Sequence, residues 1–184
     1  MKSTPLSTNE SAQLLKKTVI IAIFAAVAVV LSIVESLIPV NLSVPGAKLG
    51  LANIMVLTCL YFLRGRDAFT LIILKTLLTA MIFGTFSSFL FSLFGALFSF
   101  VVMYGLLKVS GKRLSLIGIS IAGGVAHNIG QLTAACIIFK TTSIFYYLPA
   151  LLLTGIVTGI LIGIAVRYLV PSLSRLSLFA GVSG

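Results

Sequence analysis

The sequence predicts an all-α integral membrane protein, folded as a bundle of six transmembrane helices. Hydrophobic residues make up 59% of its 184 residues and charged residues only 9%. Apolar runs approaching the ~20 residues that a helix needs to cross a bilayer recur along the chain. Basic residues mostly flank these runs, so the net charge of +10 indicates membrane topology rather than nucleic-acid binding.

Six apolar runs define the predicted spans, at 17–38, 49–63, 68–83, 86–107, 114–139 and 146–170. The predicted organisation is then an N-terminal tail (1–16), one membrane domain (17–170) and a C-terminal tail (171–184). An even number of spans leaves both termini on the same side of the membrane.

The distribution of Lys and Arg predicts which side that is. The side of the termini carries ten basic residues, namely Lys2, Lys16, Lys17, Arg64, Arg66, Lys108, Lys112, Arg113, Arg167 and Arg175. The opposite side carries Lys48 and Lys140 only, and Lys75 lies within a span. Because cytoplasmic loops are enriched in Lys and Arg, we expect a multi-pass protein of the cell membrane with both termini in the cytoplasm.

The first predicted span contains two features of functional interest. Ala22 and Ala26 form a small-residue face that allows another helix to approach closely. That helix belongs either to this chain or to a separate membrane subunit. Glu35 is the single acidic residue within a predicted span. A buried carboxylate must be paired, hydrogen-bonded or protonated, so Glu35 either pairs with Lys48 or Lys75 or contacts a ligand or a proton.

An irregular segment follows, with the sequence Pro45-Gly46-Ala47-Lys48-Leu49-Gly50-Leu51-Ala52-Asn53. Pro45 and Gly46 favour a turn, and Lys48 and Asn53 bring polar groups to the edge of the apolar phase. The span at 49–63 would be only ~22 Å long as a helix, against a ~30 Å hydrocarbon core. Irregular backbone at membrane depth must be covered by protein or line a wet cavity. We therefore expect this segment to cover and line a ligand pocket on the outer side.

The third predicted span begins after Arg64-Gly65-Arg66-Asp67, which fits a tight hairpin with Asp67 capping the helix. Lys75 falls midway along this helix. It either reaches neighbouring carbonyl groups or faces an anionic or carbonyl-bearing ligand. The fourth span is rich in phenylalanine, which we expect to face lipid or fill the bundle.

The fifth and sixth spans combine small and polar residues. Small residues recur every four positions in the fifth span at Gly118, Ala122, Ala126, Gly130 and Ala134. Beside them lies a polar stripe formed by Gly124, His127, Asn128 and Gln131. Three hydrogen-bonding side chains within five residues of a membrane helix indicate a polar site. Gly155, Gly159 and Gly163 of the sixth span predict close helix packing.

Two motifs carry a resemblance to a known family, Pro-Gly-Ala-Lys-Leu-Gly-Leu-Ala-Asn at 45–53 and Ala-His-Asn-Ile-Gly-Gln-Leu at 126–132. The chain resembles the Gx transporter family, often labelled heptaprenyl diphosphate synthase component I. That family is similar to the substrate-binding (S) components of energy-coupling factor (ECF) transporters. The resemblance implies an S-component-like bundle that binds a vitamin-like molecule near the outer surface. It also implies docking of a transmembrane coupling subunit on Ala22 and Ala26, and two cytoplasmic ATPases.

The leading hypothesis is therefore an S component that imports a small cofactor-like or quinone-precursor molecule. The expected substrate-binding residues are Glu35, Lys48, Asn53, Lys75, His127, Asn128 and Gln131. A second hypothesis is a non-catalytic membrane subunit associated with heptaprenyl diphosphate or quinone synthesis, or with flavin-linked electron transfer. A third is a proton-coupled carrier working alone, with Glu35 and His127 as its relay.

Catalysis by this chain is not expected. A prenyl diphosphate synthase holds Mg²⁺ through clustered carboxylates, but Asp67 is the sole aspartate and no two acids lie close in sequence. No G-x-x-x-x-G-K-[ST] phosphate loop occurs, so ATP would be hydrolysed on another chain. The sequence predicts no bound cofactor and no metal site.

Overall fold

The computed structural model describes residues 8–37, 49–83, 85–110 and 114–179. Within these ranges the chain is helical and contains no strand. Its elements are α1 (Thr8–Leu37), α2 (Asn53–Phe62), α3 (Gly65–Phe83), α4 (Phe86–Ser110), α5 (Leu116–Phe139), a 3₁₀ turn (Ser143–Tyr147) and α6 (Leu148–Ser174).

Four of the described helical segments are long and apolar enough to cross a membrane, at Glu10–Leu37, Phe86–Ser110, Leu116–Phe139 and Ser143–Ser174. The predicted fold class, a helical membrane protein, is thus confirmed by the length and composition of these helices. The helix α2 has only 10 residues, and α3 carries Arg66, Asp67 and Lys75. The crossing of the bilayer by α2 and α3 stays a prediction, as does the orientation of the termini.

Two helix boundaries differ from those predicted. The helix α1 begins at Thr8, so part of the predicted N-terminal tail is helical. Glu10 lies in its first turn, where a negative charge favours the helix dipole, and the residues at 12–17 include strong helix formers. The helix α2 begins at Asn53 rather than at residue 49 because Gly50 has φ +89°, a left-handed conformation that ends helical geometry.

One end of the bundle gathers most of the described basic residues. Lys17 of α1 forms an ion pair with Asp67 of α3, with 2.8 Å between Nζ and Oδ1. Beyond α6, the Phe179 ring packs on Phe62 at the end of α2, with centroids 4.8 Å apart. The turn between α2 and α3 and the segment after α6 therefore lie at this basic end, and the side of the membrane that it faces stays a prediction.

The hairpin that leads into α3 forms as predicted. Asp67 Oδ2 accepts a hydrogen bond of 3.2 Å from the backbone N–H of Arg64. An acid at the third helical position that bonds back to the N-cap amide satisfies one of the unpaired donors at the helix start. Asp67 thus caps α3 and holds α1 through Lys17.

The helix α5 packs between α4 and α6, and glycine allows the close contacts on both sides. A Cβ atom on Gly159 of α6 would lie 2.6 Å from Cα of Ile121 in α5. On the other side, a Cβ atom on Gly123 of α5 would lie 2.6 Å from the Met103 side chain of α4. The predicted packing role of the α6 glycines is confirmed, and the polar side chains of α5 lie on a helix in close contact with both neighbours.

Candidate functional site

Four side chains from three helices meet in the apolar interior. We refer to Asn53, Lys75, His127 and Gln131 as the polar cluster. Each is at most 3% exposed to solvent. Lys75 Nζ of α3 lies 3.5 Å from Asn53 Oδ1 of α2, and Asn53 Nδ2 lies 3.2 Å from His127 Nδ1 of α5. His127 Nε2 lies 2.9 Å from the side-chain amide of Gln131, at its Nε2. The cluster is a continuous chain of polar contacts.

Two glycines lie against the His127 ring and give it room. A Cβ atom on Gly50 would be 3.1 Å from the imidazole, and one on Gly95 of α4 would be 2.7 Å from its Cε1. The ring therefore lies between the segment that precedes α2 and the backbone of α4. Gly50 belongs to the irregular segment that the sequence marks, whereas the contact of Gly95 with the ring was not predicted. Its signal in the sequence is a glycine among the phenylalanines of the fourth span.

The contact between Lys75 and Asn53 indicates which nitrogen of a neutral His127 ring carries the proton. Lys75 can only donate, so Asn53 must direct Oδ1 towards Lys75 and its NH₂ group towards His127. Nδ1 of His127 is then an acceptor, and the proton of the neutral ring lies on Nε2. An N–H group on Nε2 needs an acceptor, so we expect the Gln131 amide to be turned by 180° from the orientation described above, with Oε1 rather than Nε2 against the ring. The buried lysine thus sets which group donates and which accepts in each hydrogen bond of the cluster.

Glu35 of α1 binds the segment that precedes α2. Its Oε1 accepts a hydrogen bond of 2.6 Å from the Gly50 N–H, and its Oε2 accepts one of 3.2 Å from the Leu51 N–H. Glu35 is 5% exposed. Backbone donors stabilise a buried carboxylate strongly. This contact joins α1 to Gly50, which itself lies against His127.

Replacement of Glu35 by alanine is expected to speed hydrogen exchange at the Gly50 and Leu51 amides by about tenfold or more, because charge-assisted hydrogen bonds are worth ~1.5–3 kcal/mol. Residue-resolved hydrogen exchange in detergent micelles measures the effect. Ser32→Ala is the matched control, since Ser32 lies one turn earlier on α1 and bonds only to Ala28 O of its own helix among the contacts described. Equal protection in Glu35→Ala and the unchanged protein would contradict this role.

Asn128 faces a different neighbour from the cluster. Its Nδ2 donates to the Leu151 carbonyl and lies 3.4 Å from Thr154 Oγ1, both in α6. A Cβ atom on Gly155 would lie 2.9 Å from the same nitrogen. The structure thus separates Asn128 from His127 and Gln131, and its contacts are those of a tie between α5 and α6. Asn128 is therefore not part of the polar cluster, and its predicted role in substrate binding stays a prediction.

Part of the predicted ligand-binding segment, Lys48 and the turn at Pro45–Gly46, lies outside the described residues. The predicted roles of these residues in binding and covering a ligand therefore stay predictions.

The described ranges contain no group of three or more His, Cys, Asp or Glu residues that could hold a metal ion. The polar cluster itself offers amides, one imidazole and one ammonium group, a set that suits hydrogen bonding to an organic molecule.

The fold and the cluster together define a helical membrane protein with a polar site buried inside an apolar bundle. Residues 24–169 match the family described as heptaprenyl diphosphate synthase component I, and the chain belongs to this family. Comparison with curated proteins and with solved structures gives no match. The resemblance found in the sequence is thereby confirmed for the family, and the ECF role becomes a proposal.

Proposed function

We propose that the protein is the substrate-binding membrane (S) component of an ECF-type ATP-driven importer. Its substrate would be a vitamin-like molecule or a cofactor or quinone precursor. The observation that carries this proposal is the polar cluster, since polar and ionisable side chains buried in a membrane bundle are rare and commonly mark substrate sites. Their donors and acceptors would exchange their mutual contacts for contacts with the substrate.

The outer surface of α1 supports the docking of a partner. Ile20, Phe24 and Ala25 are buried against the bundle, whereas Ala22 and Ala26 are exposed. Small residues on an exposed membrane helix allow the backbone of a second helix to approach closely. We propose that the transmembrane coupling subunit docks here, and that two cytoplasmic ATPases supply the hydrolysis for which this sequence has no phosphate loop.

The site is tested by native mass spectrometry of the protein purified gently from its own membranes. We expect a retained molecule of cofactor size, bound together with a coupling subunit and two ATPases. Asn53→Ala and His127→Ala are each expected to reduce the bound fraction about tenfold or more, because each removes hydrogen-bonding groups worth ~1–3 kcal/mol.

Thr58→Ala is the matched control for these variants. Thr58 is buried on α2, five residues after Asn53, and its hydroxyl donates to Ile54 O of the same helix. The control should retain the molecule at the level of the unchanged protein. Equal retention of the molecule in Asn53→Ala, His127→Ala and Thr58→Ala would contradict the assignment of the site.

The family description favours a second candidate function. A non-catalytic membrane subunit would associate with heptaprenyl diphosphate or quinone synthesis, or with flavin-linked electron transfer. The word "component" in the family description and the scarcity of acids in the sequence both support a partner that carries out the catalysis. Co-purification with a prenyl-chain enzyme and without ATPases would favour this candidate. Co-purification with ATPases would reject it.

A further inference from the structure

A groove at the basic end of the bundle lies apart from the polar cluster. It runs between the start of α3 and the last turns of α4 and has a volume of about 460 Å³. It is lined by Gly65, Arg66, Phe69, Thr70, Phe100 and Tyr104. The groove is open to the surroundings of the bundle, where lipid would contact it.

The apolar wall of the groove is a connected row of aromatic rings. Phe69 and Phe100 have their ring centroids 6.3 Å apart, and Phe100 stacks on Tyr104 at 5.6 Å with an angle of 4° between the ring planes. The Tyr104 ring is seated against Gly65, where a Cβ atom would lie 2.8 Å from its Cε2. A side chain at residue 65 would therefore displace the ring, so the glycine is part of how the groove is built.

The mouth of the groove is positively charged. Arg66 lines it, and Lys108 Nζ lies 5.7 Å from the centroid of the Tyr104 ring. Both side chains are exposed. The nearest carboxylate along the chain is already engaged, because Asp67 binds Lys17 with one oxygen and the Arg64 N–H with the other. The positive charge of Arg66 and Lys108 is thus available to an anion from outside the chain.

We propose that this groove binds an anionic phospholipid. Arg66 and Lys108 contact the headgroup phosphate, Tyr104 lies at the level of the headgroup, and an acyl chain lies along Phe69 and Phe100. Basic pockets between membrane helices bind anionic headgroups, and amphipathic aromatic rings sit at the membrane interface. The combination of an apolar wall with a cationic mouth fits a lipid better than a soluble anion. This site does not depend on the transport proposal.

The test is a competition between two lipids, read by native mass spectrometry. The purified, delipidated full-length protein is mixed with equal amounts of phosphatidylglycerol and phosphatidylcholine that carry the same acyl chains. We expect an excess of phosphatidylglycerol adducts. Arg66→Gln and Lys108→Gln should each lower this excess about fivefold, as expected for the loss of one basic residue near a lipid headgroup.

Arg175→Gln is the matched control, since Arg175 is an exposed basic residue that follows α6. It removes the same charge outside the groove and should leave the excess unchanged. Equal adducts of the two lipids on the unchanged protein would overturn the proposal. So would an excess that survives Arg66→Gln and Lys108→Gln, or one that falls equally in Arg175→Gln. Circular dichroism confirms the helical fold of each variant, and Lys108→Gln decides the question if Arg66→Gln does not fold.

Discussion

Replacement of Gly159 by alanine is expected to lower the free energy of unfolding by about 3 kcal/mol, at the upper end of the range for overpacked cores. The added methyl group would lie 2.6 Å from Cα of Ile121 and 2.8 Å from the carbonyl oxygen of Ser120. Both are backbone atoms of α5, so no side chain can rotate away. The helices α5 and α6 must separate, and the contact between Asn128 and α6 is weakened with them.

Thermal unfolding in detergent, followed by circular dichroism, measures the effect. A loss of this size corresponds to a fall in Tm of about 6–12 °C for a protein of this length. Gly105→Ala is the matched control because a Cβ atom at Gly105 in α4 would meet nothing within 4 Å. There the higher helix propensity of alanine predicts no loss and up to ~1 kcal/mol of gain. Equal Tm values for the two variants would mean that α5 and α6 are not in close contact.

The single imidazole of the protein is expected to occur in one tautomer, with the proton on Nε2. The opposite tautomer would direct the Nδ1–H group at the NH₂ group of Asn53, which Lys75 holds in place. Facing donors without an acceptor cost ~1–3 kcal/mol, so the minor tautomer should stay below about a tenth of the population. Lys75→Met removes the charge that orients Asn53, and both tautomers should then appear.

Nitrogen NMR of protein labelled with ¹⁵N-histidine measures this directly, because the sequence contains one histidine only. Thr76→Ala is the control. Thr76 is buried beside Lys75 in the chain, and its hydroxyl donates to carbonyls of α3 itself. The control should keep the single tautomer. A mixture of tautomers in the unchanged protein, or a single one in Lys75→Met, would contradict the proposed direction of the hydrogen bonds in the cluster.

The sequence predicted the helices well where a local chemical signal marks their ends. The hairpin before α3 was predicted from Asp67, and the structure confirms its cap. The start of α2 was placed too early, because the apolar composition of residues 49–52 resembles that of a helix. Only the backbone conformation of Gly50 stops the helix there, and a glycine in a sequence permits a positive φ without requiring it.

The grouping of side chains in the polar cluster was predicted in part. The spacing of His127, Asn128 and Gln131 correctly places three polar groups on neighbouring faces of α5. The spacing does not show which of these side chains face one neighbouring helix and which face another. His127 and Gln131 are four residues apart and share a face, which meets α2 and α4. Asn128 lies about 100° further around the helix, where it meets α6. Only the arrangement of the other helices separates these two environments.

The helix α1 carries both the exposed alanines at 22 and 26 and the carboxylate of Glu35, which lies about 14 to 20 Å from them along one uninterrupted helix. A partner that rotates α1 also moves the oxygens that hold Gly50, and Gly50 lies against His127. Under the proposed function, the affinity for the partner and the affinity for the substrate are therefore linked. Such linkage is reciprocal: if substrate changes the affinity for the partner by some factor, the partner must change the affinity for substrate by the same factor. Docking would release the cargo only if bound substrate weakens docking, and it would retain the cargo if bound substrate strengthens docking.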